Sequence, residues 1–130
     1  NNFSGSIPQK IGMLQSLNSL ALSYNNITRS IPTSLCRLTK LAELYLGSNQ
    51  LSGSIPHEIG MLRSLLILDL GINNLKGPIP PSIGYLTNLT GLYLHMNQLS
   101  GSIPHEIRML RSLHVLKLGI NNLTGPIPPS

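Results

Sequence analysis

One phrase, Asn-x-(Leu/Ile/Phe)-x-x-x-Ile-Pro, starts at Asn1, Asn25, Asn49, Asn73, Asn97 and Asn121, so every interval is 24 residues with no insertion or deletion. Apolar columns hold the same phase: Leu17, Leu41, Leu65, Leu89 and Leu113, then Leu20, Leu44, Leu68, Leu92 and Leu116, then Leu22, Leu46, Leu70, Leu94 and Leu118. A chain with this period cannot close one globular core. Each unit is too small to bury its own apolar face, and the recurring solution is to stack units into a solenoid. Residues 1–130 therefore read as a single solenoid segment of about 5.4 repeats without capping domains.

Composition agrees with that build. Leu and Ile supply 26 and 14 residues, too many for a disordered chain. A single cysteine, Cys36, leaves no internal disulfide framework. No run of 18 apolar residues is present to span a membrane.

Each column has a physical reading. Leu20-Ala21-Leu22 alternates core and non-core positions, the pattern of a strand with one buried face. One strand per unit, stacked at roughly 4.8 Å, predicts a parallel sheet of five strands. Asn25, Asn49, Asn73, Asn97 and Asn121 follow the strands as a ladder, with amides that can satisfy inward-turned backbone groups and bond to the next coil. Gly5, Gly53, Gly77, Gly101 and Gly125 permit a backbone shape other residues resist, and Arg29 breaks that column. Proline at 8, 32, 56, 80, 104 and 128 starts a short turn or 3₁₀ segment. Ile11, Leu35, Ile59, Ile83 and Ile107 then fasten that back layer to the core.

LNSLALSYNNITRSIPTSLCRL and LTGLYLHMNQLSGSIPHEIRML resemble the plant-type leucine-rich repeat, LxxLxxLxLxxNxLSGxIPxxLGxLxx, over the whole chain. The resemblance implies an α/β-type solenoid, mostly β with 3₁₀ turns. It would be a right-handed superhelix of 24-residue repeats with a parallel sheet on its concave face and a second, lateral strand near the Gly-x-Ile-Pro element. It further implies a non-catalytic, extracellular recognition module of a receptor-like kinase or receptor-like protein, in a secreted or membrane-anchored chain facing the apoplast. Its partner would be a peptide or protein, with a co-receptor as a further one. A secreted polygalacturonase-inhibitor-like defence protein is the alternative, or a structural, self-assembling repeat protein. Family members usually carry capping segments with paired cysteines. A chain opening in mid-repeat at Asn1 and stopping at Ser130 is expected to be a fragment of a longer ectodomain, with end-to-end self-association through uncapped ends as the competing account.

The variable positions around the strand leucines carry the candidate ligand site. Tyr45, Asp69, Tyr93 and His95 form its expected centre, with Tyr24, Glu43 and Lys117 around it. Tyrosine offers large area, a polar tip and few rotors. Residues 49–82 and 97–130 differ at five of 34 positions, and three of the five fall at such strand positions: Leu66/His114, Ile67/Val115 and Asp69/Lys117. Sequons at Asn2, Asn26, Asn88 and Asn122 mark N-glycan acceptors on an extracellular chain.

The net charge of +5 comes largely from Lys10, Arg37, Lys40, Arg63, Arg108 and Arg111 in the back-face turns, without interleaved aromatics, so nucleic acid is not the expected partner. His57-Glu58 and His105-Glu106 start like a zinc-protease helix but lack the second His. No metal, cofactor or catalytic residue is assigned, and Cys36 reads as a small free thiol.

Overall fold

The computed structural model describes residues 4–128. Five strands, Ser19–Ala21, Glu43–Tyr45, Ile67–Asp69, Gly91–Tyr93 and Val115–Lys117, form one parallel sheet in chain order, the main sheet. Its register pairs each core leucine with the one 24 residues on, as Leu20 with Leu44 and Leu68 with Leu92. Beyond each strand the same bond recurs: Leu22, Leu46, Leu70 and Leu94 donate their N–H groups to the carbonyls of Tyr45, Asp69, Tyr93 and Lys117, each at 2.8 Å.

The lateral strands implied by the family resemblance are present as two parallel three-stranded sheets. One joins Ser4–Gly5, Asn26–Arg29 and Gln50–Leu51; the other joins Lys76–Gly77, Gln98–Ser102 and Asn122–Thr124. A single bridge, Ser54 to Lys76, links them. On the far side of the core lie the 3₁₀ segments Gln9–Met13, Thr33–Arg37, His57–Met61, Pro81–Tyr85 and His105–Met109. A proline stands immediately before each, with φ between −64° and −72° and an extended ψ, and no side chain caps the segment. The pyrrolidine ring fixes the entry dihedral, which sets the direction in which the turn leaves the lateral strand.

Between these layers runs one core from Ile7 to Leu110, in which every buried apolar residue is Leu or Ile except Cys36. Burying each is worth roughly 1.5–3 kcal/mol. Repetition therefore spreads stability evenly along the axis instead of concentrating it.

The asparagine ladder departs from the expected direction. Asn73 donates from Nδ2 to the carbonyls of Leu46 (3.1 Å), Leu70 (3.1 Å) and Gly71 (3.3 Å), while its Oδ1 accepts from the N–H of Leu51 at 2.9 Å. Asn49, Asn97 and Asn121 repeat the pattern. Each thus ties its own bend to the preceding coil, not the next one. The bend turns its carbonyls inward at the sheet's end, and the coil before offers both a carbonyl and an N–H within reach.

Arg29 does not distort its coil. It takes φ +68°, beside +74° to +84° for the five glycines of its column. The neighbouring pairings impose the left-handed shape, and the arginine adopts it at a steric cost. A second left-handed column has no glycine at all: Tyr24, Ser48, Ile72, Met96 and Ile120 lie at φ +56° to +59°, one position before each ladder asparagine.

Candidate functional site

The main sheet turns one face into the core and the other outward. On the outward face Tyr45, Asp69, Tyr93 and Lys117 occupy one column, register partners across four consecutive strands. Glu43 stands two residues before Tyr45 on the same strand. The Tyr45 phenol is pushed above its usual range, first by partial burial and then by Glu43, Tyr93 and Asp69 around it. Lys117 Nζ lies 5.9 Å from the centroid of the Tyr93 ring, within cation–π range. His95 meets Tyr93 edge to face at 6.4 Å between ring centroids. Six of the seven residues selected from sequence are therefore brought together on one face.

Tyr24 is not one of them. It is highly exposed and stands in the left-handed turn after its strand, at the flank of the sheet instead of its middle. Counting from the strand leucine places it near the face, but positive φ swings the side chain off the row.

What sequence reasoning could not supply is the lean of the side chains. Asp69 Oδ1 accepts from the N–H of Gly71 at 3.0 Å, and its carboxylate lies against Gly47 of the coil before, 3.0 Å from where a Cβ would stand. The His95 ring covers Gly71 in the same way, so closely that a Cβ there would collide with it. Its Nδ1 is buried there with no hydrogen-bond partner among the described residues. Gly47 and Gly71 are thus seats for the side chains of the following coil. They keep Asp69 and His95 flat against the sheet and leave the phenols of Tyr45 and Tyr93 as the taller features. The signal was in the sequence as a glycine one coil before each of these two polar residues.

Electrostatically the face runs from acidic (Glu43, Asp69) to basic (His95, His114, Lys117) along the axis. Phenols between a carboxylate row and a cationic row suit recognition of an extended polar chain. The face holds no nucleophile paired with a base. Among the described residues no group of three or more His, Cys, Asp or Glu side chains gathers to hold a metal, and no helix is long and apolar enough to cross a membrane.

Asn26, Asn88 and Asn122 are all exposed; Asn2 lies outside the described residues. The Thr90 hydroxyl of the Asn88 sequon donates to the Leu66 carbonyl at 3.0 Å.

A leucine-rich repeat family model matches residues 1–51, and a second leucine-rich repeat model matches 64–86 and 88–110. No curated protein matches the chain. Among solved structures, the ectodomain of the Arabidopsis thaliana membrane receptor kinase GASSHO1/SCHENGEN3, in complex with CASPARIAN STRIP INTEGRITY FACTOR 2, aligns with TM-score 0.97 and 47% identity over 98% of this chain and 16% of its own. The Arabidopsis receptor kinase HAESA, in complex with the peptide hormone IDA and the co-receptor SERK1, aligns with TM-score 0.96 and 45% identity over 99% of this chain and 22% of its own. A plant ice-binding protein aligns with TM-score 0.90 and 36% identity over 96% of this chain and 41% of its own. The chain thus spans about a fifth of the receptor ectodomains it resembles.

Proposed function

Since this chain belongs to the plant-type leucine-rich repeat family, we propose that it is a non-catalytic recognition segment of a plant receptor ectodomain, facing the apoplast and binding a peptide or protein on the outer face of its main sheet. The observation that carries this reading is the column Tyr45, Asp69, Tyr93, Lys117, held in register over four strands with Glu43 and His95 beside it. Two phenols give area at small entropic cost, and the acidic-to-basic gradient orients a ligand by its charges. Such a ligand would lay a basic side chain near Glu43 and Asp69 and an acidic group near His95 and Lys117. The HAESA complex, which holds both a peptide hormone and a co-receptor, supports a second protein partner for this chain too. Glycans at Asn26, Asn88 and Asn122 would fit the same extracellular setting.

An ice-facing role, suggested by the third neighbour, is less well supported. The exposed amide row Asn26, Gln50, Asn74, Gln98, Asn122 is regular, but Lys76 and Arg29 stand beside it.

The test is selection from a random peptide library on the immobilised chain. Enriched peptides should bind the double variant Tyr45→Ala/Tyr93→Ala at least about tenfold more weakly, as expected when central aromatic anchors are lost. Peptides that bind the variant as tightly as the natural chain would overturn the assignment of this face.

A further inference from the structure

The chain has four methionines, and all of them are on the surface, although its core is built from Leu and Ile. Three of them share one column with a tyrosine. Met13, Arg37, Met61, Tyr85 and Met109 are the last residues of the five 3₁₀ segments, and Met13, Met61, Tyr85 and Met109 are 75%, 47%, 55% and 49% exposed. Their side chains lie along the solenoid axis instead of standing off it. The Tyr85 ring rests on Gly60 and the Met109 sulfur on Gly84 of the preceding coil, each 3.2 Å from where a Cβ would stand. The result is an apolar ridge about 20 Å long, given coil spacings near 4.8 Å.

The ridge is one residue wide. Beside it run Gln15, Thr39, Arg63, Thr87 and Arg111, and beyond them Ser16, Lys40, Ser64, Asn88 and Ser112. These flanks contain no acid. Arg37, Lys40, Arg63 and Arg111 stand on or beside the ridge, and the Arg63 guanidinium lies 5.2 Å from the Tyr85 ring centroid. The acids of this layer, Glu58 and Glu106, sit at the opposite ends of their segments, where Glu106 faces His105 at 3.4 Å.

We propose that this ridge on the back of the solenoid is a second docking surface, for an extended protein segment that alternates acidic and apolar residues. Charge complementarity selects the acidic partner. Thioethers supply an adaptable apolar contact, which explains why methionine is placed here and not in the core. The narrowness of the stripe selects an extended segment. A membrane surface or a globular partner would need a broad apolar face, and polar columns bound this one.

The probe is a fluorescein-labelled peptide of alternating Glu and Leu, titrated by fluorescence anisotropy into chain produced without glycosylation, so that Asn88 beside the ridge is bare. It should bind, weaken with added salt, and lose about tenfold in affinity in both Met61→Ser/Met109→Ser and Arg63→Ser/Arg111→Ser. Thermal melts of both pairs should match the natural chain, since all four side chains are on the surface. The methionine pair should leave the library peptides of the main sheet unaffected. Equal binding of polyglutamate would reduce the ridge to a plain anion patch and overturn the proposal. So would equal binding of an alternating Lys–Leu peptide, preference for phosphatidylglycerol vesicles, loss of binding in Tyr45→Ala/Tyr93→Ala, or indifference to both variant pairs.

Discussion

Arg29 and Cys36 each occupy a column where other coils hold glycine, and they meet it differently. Arg29 accepts a left-handed backbone at φ +68°, which costs a side-chain-bearing residue roughly 1–2 kcal/mol. Glycine at that position removes the strain but loses about 0.5–1 kcal/mol to its greater freedom when unfolded. Arg29→Gly should therefore raise stability by about 0.5–1 kcal/mol, visible as a melting temperature higher by about 3 °C; an unchanged or lower value would mean that the arginine side chain contributes contacts that outweigh its backbone. Cys36 is fully enclosed, and burial, with a smaller push from Glu58, raises its thiol pKa from 9.0 to about 12. Folded chain should resist iodoacetamide at pH 8, and denatured chain should react within the same incubation. The sign of the linkage follows. A folded-state pKa above the unfolded one gives stability that is complete below pH 9 and lost as pH rises towards 12, because the unfolded chain releases the proton first. In Cys36→Ala that alkaline decline should be shallower.

At the scale of the element, the ladder asparagine holds the bend together. Asn73 directs its two amide hydrogens among three carbonyls and accepts one N–H, so alanine strands buried groups in two coils at once. Asn73→Ala should cost about 1–3 kcal/mol in urea titration. Asn73→Asp should cost more, since a carboxylate would face three carbonyl oxygens with no hydrogen to offer. If aspartate proved as stable as asparagine, the donor bonds would be incidental to the fold. Most elements were legible because a 24-residue recurrence multiplies weak signals. Leu20-Ala21-Leu22 alone is poor evidence for a strand, whereas the same pattern repeated in phase leaves little else. The lateral strands were legible only through family resemblance. Segments such as Lys76–Gly77 are too short for alternation, and their glycines sit at positive φ. The ladder's direction was illegible too, because spacing along the chain is symmetric and only the twist of the bend decides which neighbouring coil an amide meets.

The whole molecule is a line, and every pair of elements in contact is one coil apart. That geometry explains why the candidate site could be read only in part. Columns follow from the period, so the alignment of Tyr45, Asp69, Tyr93 and Lys117 is already contained in their 24-residue spacing. Which column neighbours lean together depends on glycines in the adjacent coil and on turn dihedrals, and these placed His95 on Gly71 and swung Tyr24 away. The same geometry dictates how the chain comes apart. Interface energies in a linear array add between neighbours, so end coils open first and a central defect weakens two interfaces at once. Leu68 is fully buried in the middle strand, and Leu116 is partly exposed in the last one. Leu68→Ala should cost about 2–5 kcal/mol, the usual penalty of an enclosed core truncation, and Leu116→Ala well under half of that. Amide exchange would separate this from a two-state globule. In the natural chain, protection should peak at Leu46 and Leu70, whose N–H groups bond across the central strands, and decline towards Leu22 and Leu94. In Leu68→Ala the peak should collapse at Leu46 and Leu70 with little change at Leu94. Uniform loss of protection at all four amides would instead show a single cooperative unit, and the additive picture of this solenoid would have to be abandoned.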